Sequence, residues 1–490
     1  VQLINSVDTP SQIQDVLKIA QEERNISCTD LMCMRLCNSR LTPKDALNLL
    51  RAESLEIRQF AIQQLDQAEF EEFLCFIPLL VHLVSTDGVS VIIPYLIQKC
   101  IQSDCNIQLC SEIYWQLRTN SRKSHYASIY RHAMSLFRRH VKFNTSFAIF
   151  DIINSNLKHV GNTTIPTKPY IKNATINCQE IEVKQSATRP LLIPYHYRDG
   201  ETDKTEYILF KNEDLRKDQI VMTIIKLMDM ILKEELQTDF HIITYAVRPT
   251  TVNAGFIEIV TDAETIYDIK EKEQFSILNY IIEHNKSEPV QDVKDRFIKS
   301  CAAYCVITYL LGIGDRHLDN IMITKKGVLF HIDFGYILGF DPKPIDNSGM
   351  RISSDIVEAL GGTKSSDYKQ FCELCDQIYL CLRRHVNLFV NMLQILVEVS
   401  PPIENSVRLT QQILMDEIMK RFIPGEIHQE AKLQLYNRID NSSTADYRYF
   451  VIDFFHYHNK ETPKTIKKAF FNTLSTAKNM IKSAIDLVYY

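Results

Sequence analysis

The residues best equipped for chemistry cluster in LGIGDRHLDNIMI, Leu311 to Ile323, and in LFHIDFGYILG, Leu329 to Gly339. Asp315, His317 and Asn320 stand in the first string, His331 and Asp333 in the second. Phosphoryl transfer needs metal ions that bridge the phosphates and a residue that orients or deprotonates the attacking hydroxyl. Asn320 and Asp333 supply the hard oxygens that Mg²⁺ takes as ligands. His317 and Asp315 are both candidates to act on the hydroxyl; Asp315 has the alternative of a structural acid pairing Arg316. His331 could reach a phosphate, against the plainer reading of a packed histidine at a strand end. Arg316 reads as a brace of the loop.

The elements that must hold these groups are legible around them. Pro289 to Leu311 reads as a long apolar helix that ends at Gly312 and feeds the loop. Ile321 to Thr324 is a short apolar run, Lys325-Lys326-Gly327 a turn, and Val328 to Ile332 a second run, together a hairpin. Asp333 opens a segment that runs to about Ser353. An Asp-Phe-Gly alone is a weak signal; one placed thirteen residues after an Asn, with Asp and His just upstream, is far stronger. Protein kinases carry His-Arg-Asp with an Asn five residues after the Asp. Here the order is Asp315-Arg316-His317, with the Asn three residues after the His.

That inverted order, with KSCAAYCVITYLLGIGDRHLDN and HIDFGYILGFDPKP around it, resembles the phosphatidylinositol 3- and 4-kinase superfamily, and class III phosphatidylinositol 3-kinases most of all. The resemblance implies an α+β multidomain fold: an α-helical solenoid accessory domain, then a bilobal kinase domain with an antiparallel-sheet small lobe and a helical large lobe. ATP would sit between the lobes, with Mg²⁺ or Mn²⁺ on Asn320 and Asp333. Lys184, Ser186 and Arg189 match the phosphate-facing loop, which lacks the Gly-rich pattern of a Walker loop. Lys211 matches the ATP lysine; NEDLRKDQ after it is one residue shorter than the usual version. Asp218 would position Lys211 or act as a helix-dipole acid. Tyr245 matches a polar contact of the nucleotide pocket, and Glu258, Ile259 and Val260 the hinge, where adenine would bond backbone groups. Lys343 and Arg351 belong to the substrate loop.

The 490 residues allow two to four domains, and the composition is ordinary for a globular protein. A net charge of −5 does not point to nucleic acid. No apolar run approaches a membrane span of roughly 18 residues, and no signal peptide is read. The opening at Val1 rather than Met leaves room for domains upstream. Thirteen scattered cysteines do not form a disulfide framework; Cys372-x-x-Cys375 has no second ligand pair at zinc spacing. A reducing cytosol fits.

Residues 1–156 read as a helical solenoid, in which Thr42-Pro43-Lys44-Asp45 is a helix start. Residues 157–180 read as a linker and the start of the small lobe, 181–262 as the small lobe and 263–458 as the large lobe. Strands are expected at Ile181–Val183, Leu191–Tyr197, Thr205–Lys211, Ile242–Val247 and Ala254–Val260. Residues 459–490 read as a basic amphipathic helix after the aromatic-rich run 447–457, either meeting an anionic membrane or packing on the fold. The expected activity is transfer of the ATP γ-phosphate to the 3-hydroxyl of phosphatidylinositol. Two acids and two bases between Phe340 and Arg351 give no basic excess for a polyphosphorylated headgroup. A phosphatidylinositol 4-kinase, a lipid-kinase-related protein kinase and an inactive scaffold are the alternatives. By resemblance the protein is cytoplasmic and peripheral on endosomal or other intracellular membranes, active in trafficking and autophagy. Regulatory subunits would bind its helical domain or a domain upstream.

Overall fold

The computed structural model describes residues 41–443 apart from 53, 88, 105, 124, 143–158, 172, 185–187, 272–273, 342–349, 400–408 and 425. Two compact units emerge. One takes residues 1–227, 245–259 and 387–409, the other 228–244, 260–386 and 410–490.

The first unit opens on six helices: α1 (Pro43–Leu49), α2 (Leu55–Leu65), α3 (Phe70–Asp87), α4 (Ile92–Gln102), α5 (Ile107–Lys123) and α6 (Ala127–His140). The expected start of α1 is present. Thr42 Oγ1 accepts the Asp45 N–H at 3.2 Å, the Asp45 carboxylate turns back on Thr42, and Pro43 takes the first position. Such a cap contributes about 1 kcal/mol. At the break after α3, Asp87 Oδ2 accepts the N–H groups of Val91 and Ile92 at 2.9 and 3.0 Å, so a side chain fixes the corner.

A seven-stranded antiparallel sheet comes next, in the order β1-β2-β4-β5-β7-β6 with β3 against β4. The strands are β1 (His159–Thr163), β2 (Ala174–Asn177), β3 (Glu182–Val183), β4 (Leu191–Asp199), β5 (Thr202–Lys211), β6 (Val247–Thr251) and β7 (Ala254–Glu258). The β4–β5 register pairs Asp199 with Thr202 around Gly200, whose φ of +62° suits a two-residue hairpin. Two expectations are corrected. The stretch read as a linker and the start of the small lobe holds two strands, β1 and β2, with Ile165, Ile171, Ala174 and Ile176 in the sheet core. Its Gly161 lies at the register shift within β1, and Pro166 and Pro169 lie in the connection between β1 and β2. The strand expected at 242–247 begins at Val247, and 241–246 form no strand.

Helix α7 (Arg216–Leu236) starts where Asp214 Oδ1 accepts the Arg216 N–H at 3.1 Å. Within the first unit the helices and the sheet are tied directly. Lys226 pairs Glu71 at 2.5 Å, Arg248 pairs Glu112, and Thr119 Oγ1 donates to the Pro249 carbonyl at 3.1 Å. The six helices and the seven-stranded sheet share one compact unit.

The second unit is built around α10 (Val290–Leu311), buried almost throughout from Phe297 onward. Beside it lies a three-stranded sheet of β8 (Ala263–Thr265), β9 (Ile321–Thr324) and β10 (Leu329–His331), in the order β10-β9-β8. The unit also holds α8 (Ile266–Glu271), α9 (Ile277–His284), α11 (Ser354–Ala359), α12 (Ser366–Arg383), α14 (Gln411–Phe422) and α15 (His428–Ser443). Helix α13 (Val386–Val399) lies mostly in the first unit. Cys372 and Cys375 sit in α12, where burial raises both thiols, Cys372 to about 11. Among the described residues no helix is long and apolar enough to cross a membrane. The aromatic run 447–457 and the helix expected at 459–490 lie outside the described residues.

Candidate active site

Helix α10 delivers the loop. Gly312 closes it in the left-handed region, φ +58°, and Ile313 N–H returns to the Thr308 carbonyl at 2.9 Å. A side chain at Gly312 would meet Gly339 N at 2.6 Å, and one at Gly314 would meet the Phe340 carbonyl oxygen at 2.3 Å. Both glycines let residues 338–341 lie against the loop, held by Gly339 N–H to Gly312 O at 2.9 Å. Asp341 Oδ2 accepts the Asp315 N–H at 2.8 Å. Asp315 itself has φ +52°, in the region an Asp tolerates better than most residues.

The hairpin forms as expected, with Ile323 opposite Leu329 and Ile321 opposite His331. Ile332 N–H donates to the Asn320 carbonyl at 3.1 Å, which sets Asp333 one residue past the pairing. Arg316 locks this arrangement. Its guanidinium donates to the carbonyls of Gly314 at 2.8 Å, Ile332 at 2.8 Å and Asp333. It is 7% exposed. One buried cation therefore gathers the loop before His317 and the strand end before Phe334.

His317 is buried, and its Nε2 accepts from Asn320 Nδ2 at 3.1 Å. The same amide nitrogen donates to the Asp315 carbonyl at 2.9 Å. With both Asn320 N–H groups spent inside the loop, its Oδ1 is the atom left to offer a cation. Asp333 is exposed, has φ +60°, and accepts the Gly335 N–H on Oδ1 at 3.2 Å. An amide oxygen and an exposed carboxylate fit a hard divalent ion. Asp315 Oδ2 lies 4.0 Å from His317 Nε2.

Two family models match the chain. That of phosphatidylinositol 3- and 4-kinase matches residues 204–402, and that of the phosphoinositide 3-kinase family accessory domain residues 6–147. Residues 204–402 thus carry the phosphatidylinositol 3- and 4-kinase catalytic domain, and residues 6–147 the accessory domain that goes with it. It is 28% identical over 472 residues to phosphatidylinositol 3-kinase pik3 of Schizosaccharomyces pombe, over 84% of this chain and 57% of that protein. It is 29% identical over 463 residues to the root isoform of phosphatidylinositol 3-kinase of Glycine max, over 82% and 54%. To phosphatidylinositol 3-kinase VPS34 of Saccharomyces cerevisiae it is 36% identical over 301 residues, over 60% and 33%. The chain thus spans between about a third and just over half of the length of these relatives.

Of the described residues expected to face nucleotide, all but Val260 belong to the first unit. Lys211 ends β5 and pairs Glu213 at 2.6 Å; the motif reading passed over Glu213. Asp218 sits in the first turn of α7. Lys184 and Arg189 are exposed at the two ends of a loop closed by Lys184 N–H to Pro190 O at 2.9 Å, and Lys184 also pairs Glu182. Ser186 lies outside the described residues. Tyr245 is 8% exposed. The Glu258 N–H donates to Ala246 O at 2.8 Å, and the Ile259 N–H to Tyr207 O at 3.4 Å. Val260 falls in the second unit.

Sequence reasoning missed the group that pins the strand expected to lead into the hinge. Lys168, in the β1–β2 connection, pairs Glu206 at 2.5 Å and Glu258 at 2.9 Å. Tyr195 and Tyr197 donate to Glu206 at 2.7 and 2.6 Å, and Glu258 Oε2 accepts the Ala246 N–H at 2.8 Å. Burial alone would lower the Lys168 ammonium, but the two carboxylates outweigh it and raise it. A Lys between two prolines gave no sign of this role.

Two expected site residues are placed in the packing instead. His331 is 3% exposed and stacks on Tyr304 with centroids 5.4 Å apart and planes 4° from parallel. Burial first, then Arg316 and Arg351, hold it well below the usual histidine range. Arg351, expected on the substrate loop, is 4% exposed and donates to the Arg316 carbonyl. That buried guanidinium braces the loop that carries His317. Lys343 lies outside the described residues.

Proposed function

We propose that this chain is the accessory and catalytic portion of a lipid kinase that transfers the γ-phosphoryl group of ATP to the 3-hydroxyl of phosphatidylinositol. The observation that carries the reading is the loop gathered by Arg316, which sets His317, Asn320 and Asp333 around one hairpin. Asn320 Oδ1 and the Asp333 carboxylate would hold Mg²⁺, or Mn²⁺ in its place; that ion would supply charge neutralisation of the bridging phosphate oxygens. Lys211 would pair the phosphates in exchange for Glu213. His317 is the base in this reading. Its Nε2 lone pair, shared with Asn320 in the resting loop, takes the proton of the inositol hydroxyl. The Asn320 donation is then traded for attraction to Asp315 Oδ2, 4.0 Å away. Asp315 thus stabilises the imidazolium, and the two candidates act as a pair.

The substrate reading rests on the charge still available to a headgroup. Of the two acids and two bases between Phe340 and Arg351, Asp341 serves the Asp315 N–H and Arg351 the Arg316 carbonyl. Lys343 and Asp346 remain, with no excess to meet a polyphosphorylated ring. The relatives, named as phosphatidylinositol 3-kinases, support the 3-position. Peripheral association with an intracellular, endosomal membrane and regulatory subunits on the helical domain complete the proposal. The test is incubation with ATP, Mg²⁺ and phosphatidylinositol, its 4-phosphate or its 4,5-bisphosphate, with the product's ring position identified. Phosphatidylinositol 3-phosphate is expected; faster turnover of the bisphosphate, or a 4-phosphate product, overturns the reading.

A further inference from the structure

The accessory helices carry a charge pattern that the catalytic reading leaves unused. From Ile113 through Phe150 the sequence has no Asp or Glu, while seven Lys or Arg and three His fall between Arg118 and Lys142. The whole chain has net charge −5, so this run opposes the general sign. In the fold it occupies α5 and α6, which pack on each other, with α5 also lying on β6. Helix α6 buries Tyr130, Ala133, Met134 and Phe137. Arg131, His132, Arg138 and Arg139 are exposed on it, and Lys142 just beyond its end.

Arg131 and Arg138 are seven residues apart, one line along a helix of 3.6 residues per turn; Arg139 flanks it, and Lys142 follows past the helix end. Arg138 Nη2 donates to Tyr114 Oη at 3.4 Å and its guanidinium lies 5.5 Å from the ring centre, which anchors the line at the α5–α6 seam. Among the described residues no acid pairs with Arg122, Arg131, Arg138, Arg139 or Lys142. Exposed lysines elsewhere do have such partners: Lys204 pairs Asp199 at 2.5 Å, Lys286 pairs Glu283, and Lys369 pairs Glu373 at 3.9 Å. Unpaired like charges held side by side repel, and the arrangement costs stability that an anionic partner would return.

The face offers charge without anchors. None of the exposed large hydrophobic side chains lies on α6, and Ser128 and Ser135 fill the spaces between its cations. Protein interfaces draw their affinity from a few aromatic or aliphatic anchors buried at the centre. A diffuse field of anionic headgroups asks only for cations near its surface, each strengthening attachment about fivefold. We propose that the exposed face of α6 docks on an anionic phospholipid surface. The choice of lipid over another polyanion rests on the lipid-kinase reading; the docking face itself does not.

The test is flotation of the full chain with vesicles of phosphatidylcholine alone or with phosphatidylserine at about three to one, across a salt series. The unsubstituted chain is expected to bind the serine-containing vesicles and release with salt. R131A/R138A/R139A should weaken that binding at least about tenfold, while K204A/K286A/K369A, which removes the same charge from paired sites, changes it less than twofold. Turnover of a soluble short-chain phosphatidylinositol should be the same in all three proteins. Equal flotation of the two triple variants overturns the proposal. So does unchanged flotation with lost binding to a polyglutamate peptide, which gives the face to an acidic protein. Flotation as expected with no turnover by any of the three keeps the docking face and refutes the kinase reading.

Discussion

Replacing Arg316 by Met tests whether the catalytic hairpin is held by one cation. Met keeps an unbranched side chain of similar length but removes every donor. Three carbonyls, of Gly314, Ile332 and Asp333, then lose their partner in a place where Arg316 is 7% exposed. Each hydrogen bond from a charged donor contributes about 1.5–3 kcal/mol, a ceiling of roughly 5–9 for three. Burying the guanidinium costs several kcal/mol that the Met variant no longer meets, so the net loss should be about 2–4 kcal/mol. It should be local, because α10 and the strand pairing stay intact. Hydrogen exchange should accelerate at residues 314–320 and 331–335 and hardly elsewhere. A carboxylate displaced by about 1 Å can cost about 10²-fold in rate, so turnover should fall by that order. The Mg²⁺ concentration for half-maximal rate should rise, because Asp333 moves. Arg316→Lys, a point donor in place of a fork, should recover part of both. Turnover of Arg316→Met within about twofold of the unsubstituted chain at all Mg²⁺ concentrations would show that the clamp does not position the site.

Four further outcomes are expected. Asp333→Asn should lower turnover at least about 10²-fold with little loss of thermal stability, since Asn tolerates the +60° φ that Ala does not; wild-type rates in that variant refute the metal assignment. Gly314→Ala should lower turnover at least about tenfold and the melting temperature by several degrees, because its Cβ falls 2.3 Å from a backbone oxygen; unchanged kinetics would mean the close approach is not needed. His82 is held down to about 4 by burial, then by Arg51. Its folded pKa lies below the ordinary 6.5, so the unfolded chain binds the proton first and stability falls with pH from about 6.5 to 4, by an order of 3 kcal/mol. Urea midpoints of His82→Leu should lack that part of the decline, and superimposable curves refute it. Lys168→Met should raise the ATP KM more than it lowers kcat, with partial recovery in Lys168→Met/Glu206→Gln; an unmoved KM would separate Lys168 from the hinge.

What could be read from sequence was what is encoded by neighbours. The Thr42 cap, the Gly312 helix end, the β4–β5 turn and the β9–β10 hairpin each depend on a few adjacent residues, and each is found where expected. The misreadings occurred where pairing is distant. Residues 159–177 look like a linker because their alternation spans only Ala174 to Asn177, and β2 meets the rest of the sheet only through Thr175 opposite His196 of β4. The strand beginning at Val247 was placed five residues early because Ile242 and Tyr245 are also buried without being paired in a ladder.

The candidate site divides along the same line. Residues that would touch substrate or metal carry a motif, since their types must suit the chemistry: Asp315, His317, Asn320, Asp333, Lys211. Residues that hold them in place mostly bond to main chain, and any residue has a carbonyl or an N–H to bond. Nothing in the types of Gly314, Ile332 or Asp333 announces Arg316 as their donor, and nothing in Asp315 announces Asp341 twenty-six residues on. Arg351 follows the same rule. By type and position it belonged with the bases of the substrate loop, yet its guanidinium serves the backbone of Arg316, which itself serves the backbone of Asp333. A charge counted in sequence is an offer to solvent or ligand only if no carbonyl has already taken it. Arg351 is thereby tied to the Asp333 backbone through Arg316, two arginines in series. A change at either should be felt at Asp333 before it is felt by any lipid.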